Sequence, residues 1–228
     1  MRAVYIEHLQ DENKYILTGD SFHHLVHVTR VSLGEKILLL NGKGLEIECT
    51  VIGQNKKELV LEKKSARAKE LTHRIDVALG MPKKDALDLS LRQMVELGVH
   101  TAYLVRSQYS QMKLPDEERL QKLLISALEQ SNSPHLTKLI PTSFKDIDYR
   151  SYDHVVVFDS QSMNQEKPNS GTGSYLLVVG PEGGFSPEEF EFFDSLPNLS
   201  RLHLPTPIMR TPTALSCGVG VVLQRLMD

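Results

Sequence analysis

The stretch LLVVGPEGGFSPEEFEFF, residues 176–193, joins an apolar run to a glycine-rich turn and then to an acidic segment that contains phenylalanines. The apolar run ends at Gly180. Ser186, with a proline after it and Glu189 three residues later, matches a capping box at a helix start. Strand, turn and helix in this order are typical of the ligand-binding edge of α/β proteins. Glu182 lies in the middle of the turn, and this carboxylate restricts which ligands the turn can accept.

A phosphate is a poor ligand for this turn. A P-loop has a lysine after its glycines and a Rossmann loop reads G-x-G-x-x-G, and the sequence has neither pattern here. Glu182 would repel a phosphate, and Ser186 already occupies the helix N-terminus that an anion would use. The turn therefore predicts a neutral or cationic ligand rich in hydroxyl and amine groups, of which S-adenosylmethionine is the obvious biological example. The alternative is a well-made turn that binds nothing.

A second unusual segment, LPTPIMRTPTAL (204–215), contains three prolines and a single arginine between the last strand pattern and the last helix pattern. The prolines stiffen a loop that lacks regular hydrogen bonds. We expect Thr211 or Thr213 to cap the helix that follows. A stiff connector is one interpretation of the segment. The other is a wall for an adenine ring together with a charge directed at a substrate, supplied by Ile208, Met209 and Arg210.

The chain after about residue 70 alternates between strand and helix patterns. Alternation of this kind predicts an α/β domain with a mostly parallel sheet. The strand-like segments are 75–80, 101–106, 154–159, 175–179 and 201–204, and the helical ones are 86–98, 117–131 and 213–227. The polar, Gly/Ser-rich segment 161–174 is predicted to be a flexible loop.

Residues 1–70 have a different pattern, which indicates short strands. Asn41-Gly42 is a strong signal for a tight turn, and apolar residues alternate with polar ones from Leu45 to Val51. Several such strands predict a small barrel or sandwich. The polar, basic segment 63–74 is the best candidate for a linker to the second domain.

The overall composition excludes several classes of protein. The net charge of −3 over 228 residues means that any RNA-binding surface is a local patch. Two distant cysteines argue against a disulfide framework and fit a reducing cytoplasm. The N-terminus has no signal-peptide core, and no apolar run approaches the ~20 residues that span a membrane. The histidines at 23, 24 and 27 lack cysteine or carboxylate neighbours at ligand spacing, so no metal is expected.

Four motifs occur in an order that resembles one known family. They are FHHLVHVTRVSLGEKILLLNGKG (22–44), ALEQSNSPHLTKL (127–139), VVGPEGGFSPEE (178–189) and LPTPIMRTPTAL (204–215). The set resembles the RsmE family of ribosomal RNA small-subunit uridine N3-methyltransferases, which belong to the SPOUT class. The resemblance covers nearly the whole chain.

The resemblance implies a fold and a function. It implies a PUA-like RNA-binding β-barrel over residues 1–70 and a SPOUT methyltransferase domain over 71–228 with a mostly parallel sheet and a C-terminal trefoil knot. It further implies a cytoplasmic homodimer that uses S-adenosylmethionine to methylate N3 of a uridine in 16S rRNA, naked or in the small ribosomal subunit, without a membrane or a metal. The alternatives are an RNA-binding SPOUT homologue that has lost catalysis, or one with a different RNA target.

The resemblance also implies roles for individual residues. Arg210 is the expected catalytic residue, and the base that removes the uridine proton is left open between Glu182 and water. The expected cofactor-binding residues are Phe158, Gly180, Glu182, Gly183, Leu204, Ile208, Met209 and Ala214. The expected RNA-binding residues from the resemblance are Arg2 and Arg30. Lys63, Lys64 and Arg67 join them because they belong to a basic run beside the small β-domain. The alternative for that run is a solvated face.

The last loop departs from the family pattern, which resembles L-G-x-R-I-L-R-x-E-T-A. Pro205 replaces the glycine, Pro207 the first arginine and Pro212 the glutamate. The loop length is unchanged, so cofactor binding remains the expectation.

Overall fold

The structure is a computed structural model that describes residues 1–28, 30–110, 116–159 and 173–227. The described chain forms two compact units. The N-terminal unit comprises Met1–Leu71 and Ile125–Leu136, and the C-terminal unit comprises Thr72–Leu124 and Thr137–Asp228. Most of the loop expected at 161–174 lies outside the described residues. The expected boundary between an RNA-binding domain (1–70) and a methyltransferase domain (71–228) stays a prediction.

The N-terminal unit is built on a curled five-stranded sheet with the order β1-β3-β4-β5-β2. The pairing of β1 with β3 is parallel, and the other pairings are antiparallel. A short helix α1 (Gly19–His23) and a π-helical turn (His24–Val28) follow β2. The strands are β1 (Arg2–Tyr5), β2 (Lys14–Leu17), β3 (Lys36–Leu40), β4 (Leu45–Gln54) and β5 (Leu59–Ala68).

The alternating pattern correctly predicts strand β4, because Ile47, Cys49 and Val51 are buried in the core of this unit. The expected linker at 63–74 is partly wrong, since residues up to Ala68 belong to β5 and pair with β4. The outer part of β5 is largely exposed. An exposed strand tolerates polar side chains, so the polar composition of this segment resembled that of a linker.

The second segment of the N-terminal unit is held by backbone groups that are distant in sequence. The N–H of Tyr5 donates to Oε1 of Glu129 at 2.9 Å. The N–H of Gly44 donates to the carbonyl of Pro134 at 2.9 Å, and that of Leu136 donates to Gly42 at 2.9 Å. Residues 127–139, one of the four family-like motifs, thus supply part of this unit.

The C-terminal unit contains a six-stranded sheet in which every pairing is parallel, with the order β11-β9-β10-β6-β7-β8. This confirms the predicted α/β class. The strands are β6 (Arg74–Gly80), β7 (Thr101–Val105), β8 (Lys138–Thr142), β9 (His154–Phe158), β10 (Ser174–Val179) and β11 (Leu199–Leu202). The helices of this unit are α2 (Lys84–Glu96), α4 (Pro187–Asp194), α5 (Thr211–Arg225) and the first half of α3 (Glu117–Ser131), whose residues from Ile125 onward belong to the N-terminal unit.

The strand that the sequence indicates at 201–204 lies two residues earlier in the structure, as β11, and β8 has no counterpart among the sequence predictions. β8 is a partly exposed edge strand with a proline in it, so its apolar signal is weak. Among the described residues, no helix is long and apolar enough to cross a membrane. The trefoil knot stays a prediction.

Candidate active site

A cavity of about 220 Å³ lies at the carboxyl ends of β9 and β10. Parallel sheets bind ligands at this edge, so the cavity lies where the fold class predicts a site. Its walls come from the end of β9, the glycine-rich turn after β10 and the segment that leads into α5. The lining residues are Phe158, Asp159, Val179, Gly180, Pro181, Glu182, Gly183, Gly184, Phe185, Phe190, Ile208, Met209, Thr211 and Ala214.

The turn after β10 folds tightly because its glycines permit close backbone approach. The N–H of Gly184 donates to the carbonyl of Pro181 at 2.9 Å, and Gly184 has a φ of 72°. A Cβ atom on Gly180 would lie 3.3 Å from the Gly184 backbone and 3.4 Å from the Phe185 ring. A side chain at Gly180 would therefore force the turn to shift.

The carboxylate of Glu182 is fixed by the backbone of a neighbouring element. Its Oε1 accepts a hydrogen bond from the N–H of Lys83 at 3.1 Å. Lys83 is the N-cap of α2, and a helix N-terminus favours a nearby negative charge. The carboxylate is therefore held at one side of the cavity, where it disfavours an anionic ligand.

The capping box expected after the turn is confirmed. Oγ of Ser186 accepts from the N–H of Glu189 at 3.2 Å, and Oε2 of Glu189 accepts from the N–H of Ser186 at 2.8 Å. Ser186 is fully buried. The N-terminus of α4 is thus satisfied by its own side chains, so it offers no site to a phosphate.

A second carboxylate, Asp159, lines the cavity and is only 5% exposed. Its Oδ2 accepts from Nη1 of Arg201 at 2.5 Å, and Nη2 of Arg201 lies 2.6 Å from Asp194. The Arg201 guanidinium also lies over the ring of Phe190, with its Cζ 4.8 Å from the ring centroid. The ion pair offsets the cost of burying the Asp159 charge beside the cavity.

Aromatic and aliphatic side chains form the rest of the wall. The ring of Phe185 packs edge-to-face on Phe193 at 5.1 Å and on Phe144 at 5.7 Å between centroids, so its position is set by the core. Across the cavity, Ile208 is 90% exposed although it lines the space. A flat apolar ring bound here would cover that side chain.

The start of α5 differs from the expected capping. Neither Thr211 nor Thr213 is the N-cap; the helix begins at Thr211, with Arg210 as the N-cap and no side-chain capping bond. Oγ1 of Thr211 instead donates to the carbonyl of Gly180 at 3.3 Å, which ties α5 to the glycine turn. Pro212 occupies the first turn of the helix, where a missing N–H costs nothing.

The cavity brings together the expected cofactor-binding residues with one exception. Leu204 lies elsewhere, in a shallow cavity along the surface of α5 beside Cys217 and Gly220. Arg210 is exposed and lies between two lining residues, Met209 and Thr211, without lining the cavity itself. The binding and catalytic roles of these residues stay predictions.

The sequence analysis gave no individual site role to half of the lining residues: Asp159, Val179, Pro181, Gly184, Phe185, Phe190 and Thr211. Asp159 had a usable signal, because it directly follows the buried strand β9 and a residue there must lie at the carboxyl edge of the sheet. Phe190 and Thr211 lie in the first turns of α4 and α5, which face the cavity. The orientation of these helices depends on tertiary packing, which a local sequence pattern does not predict.

Comparison with known proteins places this site in a family. Residues 69–223 match the family model of an RNA methyltransferase domain, and residues 17–64 match that of an RNA methyltransferase PUA domain. The chain belongs to the RNA methyltransferase family. The expected pairing of a PUA-like domain with a methyltransferase domain is thereby confirmed.

Two relatives and one solved structure illustrate the similarity. The Ribosomal RNA small subunit methyltransferase E of Bacillus subtilis is 27% identical, over 94% of this chain and 93% of the relative. The Ribosomal RNA small subunit methyltransferase E 2 of Borreliella burgdorferi is 28% identical over 96% of both chains. The crystal structure of the Neisseria gonorrhoeae Ribosomal RNA small subunit methyltransferase E, bound to S-adenosyl methionine, shares the fold with a TM-score of 0.85, 22% identity and coverage of 98% and 97%.

The residues expected to bind RNA belong to the PUA-bearing unit of this RNA methyltransferase. Arg2 pairs with Glu35, Lys63 with Asp11 and Lys64 with Glu62. Arg67 is exposed on β5, and Arg30 is exposed and has a φ of 52°. Exposed ion pairs contribute little free energy, so the paired cations can still exchange their partners for phosphates. RNA binding by these five residues stays a prediction.

Within the described ranges, no group of three or more His, Cys, Asp or Glu side chains could hold a metal ion. The rings of His23 and His27 lie 4.9 Å apart and contact each other.

Proposed function

We propose that this RNA methyltransferase transfers a methyl group from S-adenosylmethionine to N3 of a uridine in 16S rRNA of the small ribosomal subunit. The cavity at the carboxyl ends of β9 and β10 is the observation that carries the proposal. It combines an apolar wall with two carboxylates, Asp159 and Glu182. That combination suits an adenine ring and a cationic chain and disfavours a phosphate.

The residues of the cavity fit this cofactor in three respects. Phe158, Ile208 and Met209 offer apolar surface for the adenine. The glycine turn is compact, and a Cβ at Gly180 would press on Gly184 and Phe185, which both line the cavity. The carboxylates offer acceptors for hydroxyl and amine groups. When bound, S-adenosylmethionine supplies an electrophilic methyl group on a positively charged sulfur.

The chain's own residues must then activate the uridine. N3 carries a proton and is a weak nucleophile when neutral, so loss of the proton must accompany attack. Arg210 would stabilise the negative charge that develops on the base. The proline-containing loop before α5 would hold the Arg210 guanidinium near the base. The neighbouring residues Met209 and Thr211 would meanwhile line the cofactor cavity. The uridine must be unpaired or flipped out of a helix to reach this edge.

The relatives named above support the choice of ribosomal RNA, and the Neisseria protein of the same fold binds the proposed cofactor. We further propose a homodimer in the cytoplasm. Sedimentation of the purified protein tests the dimer, and a monomer at micromolar concentration would contradict it.

The reaction is tested by mass spectrometry of 16S rRNA from a strain that lacks the gene. We expect one N3-methyluridine to disappear and to return when the purified protein and S-adenosylmethionine are added to the rRNA or to small subunits. An unchanged methylation map in that strain would contradict the proposed reaction.

The role of Arg210 is tested by replacing it. Because Arg210 lies outside the lining of the cavity, Arg210→Ala should leave cofactor affinity, measured by calorimetry, close to that of the wild type. Methylation should fall by roughly 100-fold or more, which is the usual effect of removing one charge-stabilising group. Arg210→Lys, which keeps the charge but not the geometry, should retain part of the activity. Wild-type turnover in Arg210→Ala would remove this residue from the mechanism.

A further inference from the structure

A second, open cavity of about 420 Å³ adjoins the cofactor cavity. It is lined by Gln108, Tyr109, Ser110 and Gly183. Gly183 lines both cavities, so the two spaces meet at the glycine turn. In-line methyl transfer requires the accepting atom within about 3–3.5 Å of the methyl group. The target base must therefore occupy space that adjoins the cofactor cavity, as this one does.

Tyr109 lies directly against the glycine turn. A Cβ atom on Gly183 would lie 2.9 Å from Cβ of Tyr109 and 3.4 Å from its Cγ, so only glycine permits this approach. Tyr109 nevertheless remains 42% exposed. An exposed ring beside a methyl-transfer site offers a flat surface to a nucleobase.

The turn that carries Tyr109 is held rigidly. The N–H of Ser107 donates to Oγ of Ser110 at 3.0 Å, and the N–H of Ser110 donates to the carbonyl of Ser107 at 3.1 Å. The N–H of Gln108 donates to Oε1 of Glu189 at 3.0 Å, which ties the turn to the capping box of α4. The backbone that carries Tyr109 is thus held in place before any substrate arrives, which limits the entropy lost on binding.

Gln108 adds hydrogen-bonding groups of the right kind. Its exposed side-chain amide carries both a donor and an acceptor. Uracil presents two carbonyl oxygens and one N–H on its edge, so an amide can pair with it while an aromatic ring stacks on its face. RNA-binding proteins recognise unstacked bases by this combination of stacking and edge contacts.

We propose that Tyr109 is the stacking platform for the target nucleobase and that Gln108 contacts the edge of that base. The inference rests on the proposed RNA methylation, and it adds a positioning residue and a place for the base. If the base stacks on this ring, loss of the Tyr109 side chain should lower kcat/KM for the RNA and leave cofactor affinity unchanged.

The test compares Tyr109→Ala and Tyr109→Phe with the wild type, on small subunits purified from a strain that lacks the gene. We expect Tyr109→Ala to lower kcat/KM for the RNA by about 10- to 100-fold, as the loss of one base-stacking contact predicts. Tyr109→Phe keeps the ring and should retain most of the activity. Both variants should bind S-adenosylmethionine with wild-type affinity by calorimetry. Leu89→Ala, which truncates another exposed side chain of this unit, is the control for a general surface effect.

A cross-linking measurement gives an independent result. A 16S transcript that contains 5-iodouridine should cross-link on irradiation to Tyr109, identified by mass spectrometry, and Tyr109→Ala should lose that cross-link. Wild-type kcat/KM in Tyr109→Ala, or a loss of cofactor affinity that accounts for its defect, would overturn the inference. A wild-type protein that methylates no rRNA would instead contradict the proposed function.

Discussion

The two ends of the parallel sheet each contain a buried aspartate, and the two have different surroundings. At the amino end, Asp76 at the start of β6 is fully buried. Its Oδ2 accepts from the Tyr152 hydroxyl at 2.6 Å and from Nε of Arg74 at 2.9 Å. Its Oδ1 accepts from the N–H of Thr101 at 2.8 Å and lies 3.3 Å from Nδ1 of His100. Both oxygens are therefore engaged by protein groups.

At the carboxyl end, Asp159 follows β9 and pairs with Arg201, but it also forms part of a cavity wall. The difference separates two uses of a buried charge. The carboxylate of Asp76 is fully buried and accepts hydrogen bonds from Arg74, Thr101 and Tyr152, so we expect it to contribute to stability. The carboxylate of Asp159 borders a space that a ligand can enter, so we expect it to contribute to binding.

The largest expected effect comes from the amino end. Asp76→Ala should lower the free energy of unfolding by about 3–5 kcal/mol, because it removes the buried acceptor shared by the Thr101 N–H, the Tyr152 hydroxyl and Nε of Arg74. Urea unfolding at pH 7 measures this loss. Asp76→Asn, which keeps one acceptor oxygen, should lose less. A loss below about 1 kcal/mol in Asp76→Ala would show that water replaces the carboxylate. Asp76 would then not be the stabilising counterpart of Asp159.

An intermediate effect is expected at the carboxyl end. Asp159→Asn keeps the size of the side chain but removes its charge, and should weaken S-adenosylmethionine binding by about 10- to 100-fold, as loss of a charged hydrogen-bond partner predicts. Asp194→Asn is the matched control, because Asp194 also pairs with Arg201 but lines no part of the cavity. Calorimetry measures the S-adenosylmethionine affinity of both variants, and only Asp159→Asn should lose affinity. Equal losses would mean that Asp159 acts only by holding Arg201.

These two aspartates also show how far the sequence can predict the molecule. The α/β class, the carboxyl-edge site and the Ser186 capping box follow from local patterns, because strand and helix periodicity and cap chemistry involve residues close in sequence. The partner of Asp159, Arg201, lies 42 residues away in the chain. The inclusion of residues 125–136 in the N-terminal unit likewise depends on contacts between distant residues, such as Tyr5 and Glu129. Tyr109 belongs to no motif, and its importance appears only when the Gly183 turn lies beside it.

The smallest expected effect depends on pH and concerns Tyr152 at the amino end. Burial first, and then the hydrogen bonds with Asp76 and Tyr103, raise the pKa of the Tyr152 hydroxyl far above 10, its value in an unfolded chain. Below pH 10 the hydroxyl is neutral in both states, so its contribution to stability is fully present. As the pH rises above 10, the unfolded chain releases this proton and the folded chain keeps it, so the contribution falls by about 1.4 kcal/mol per pH unit.

Tyr152→Phe removes both the hydrogen bond and the titration. At pH 7 it should lower the free energy of unfolding by about 1–2 kcal/mol, because Asp76 keeps its other partners. Between pH 10 and 11 its stability should decline less steeply than that of the wild type. Tyr149, whose pKa burial also raises, remains in both proteins and contributes equally to both curves. Urea unfolding from pH 7 to 11 compares the slopes. Parallel curves would mean that the Tyr152 hydroxyl ionises as easily in the folded protein as in the unfolded chain, and would contradict its enclosure at the amino end.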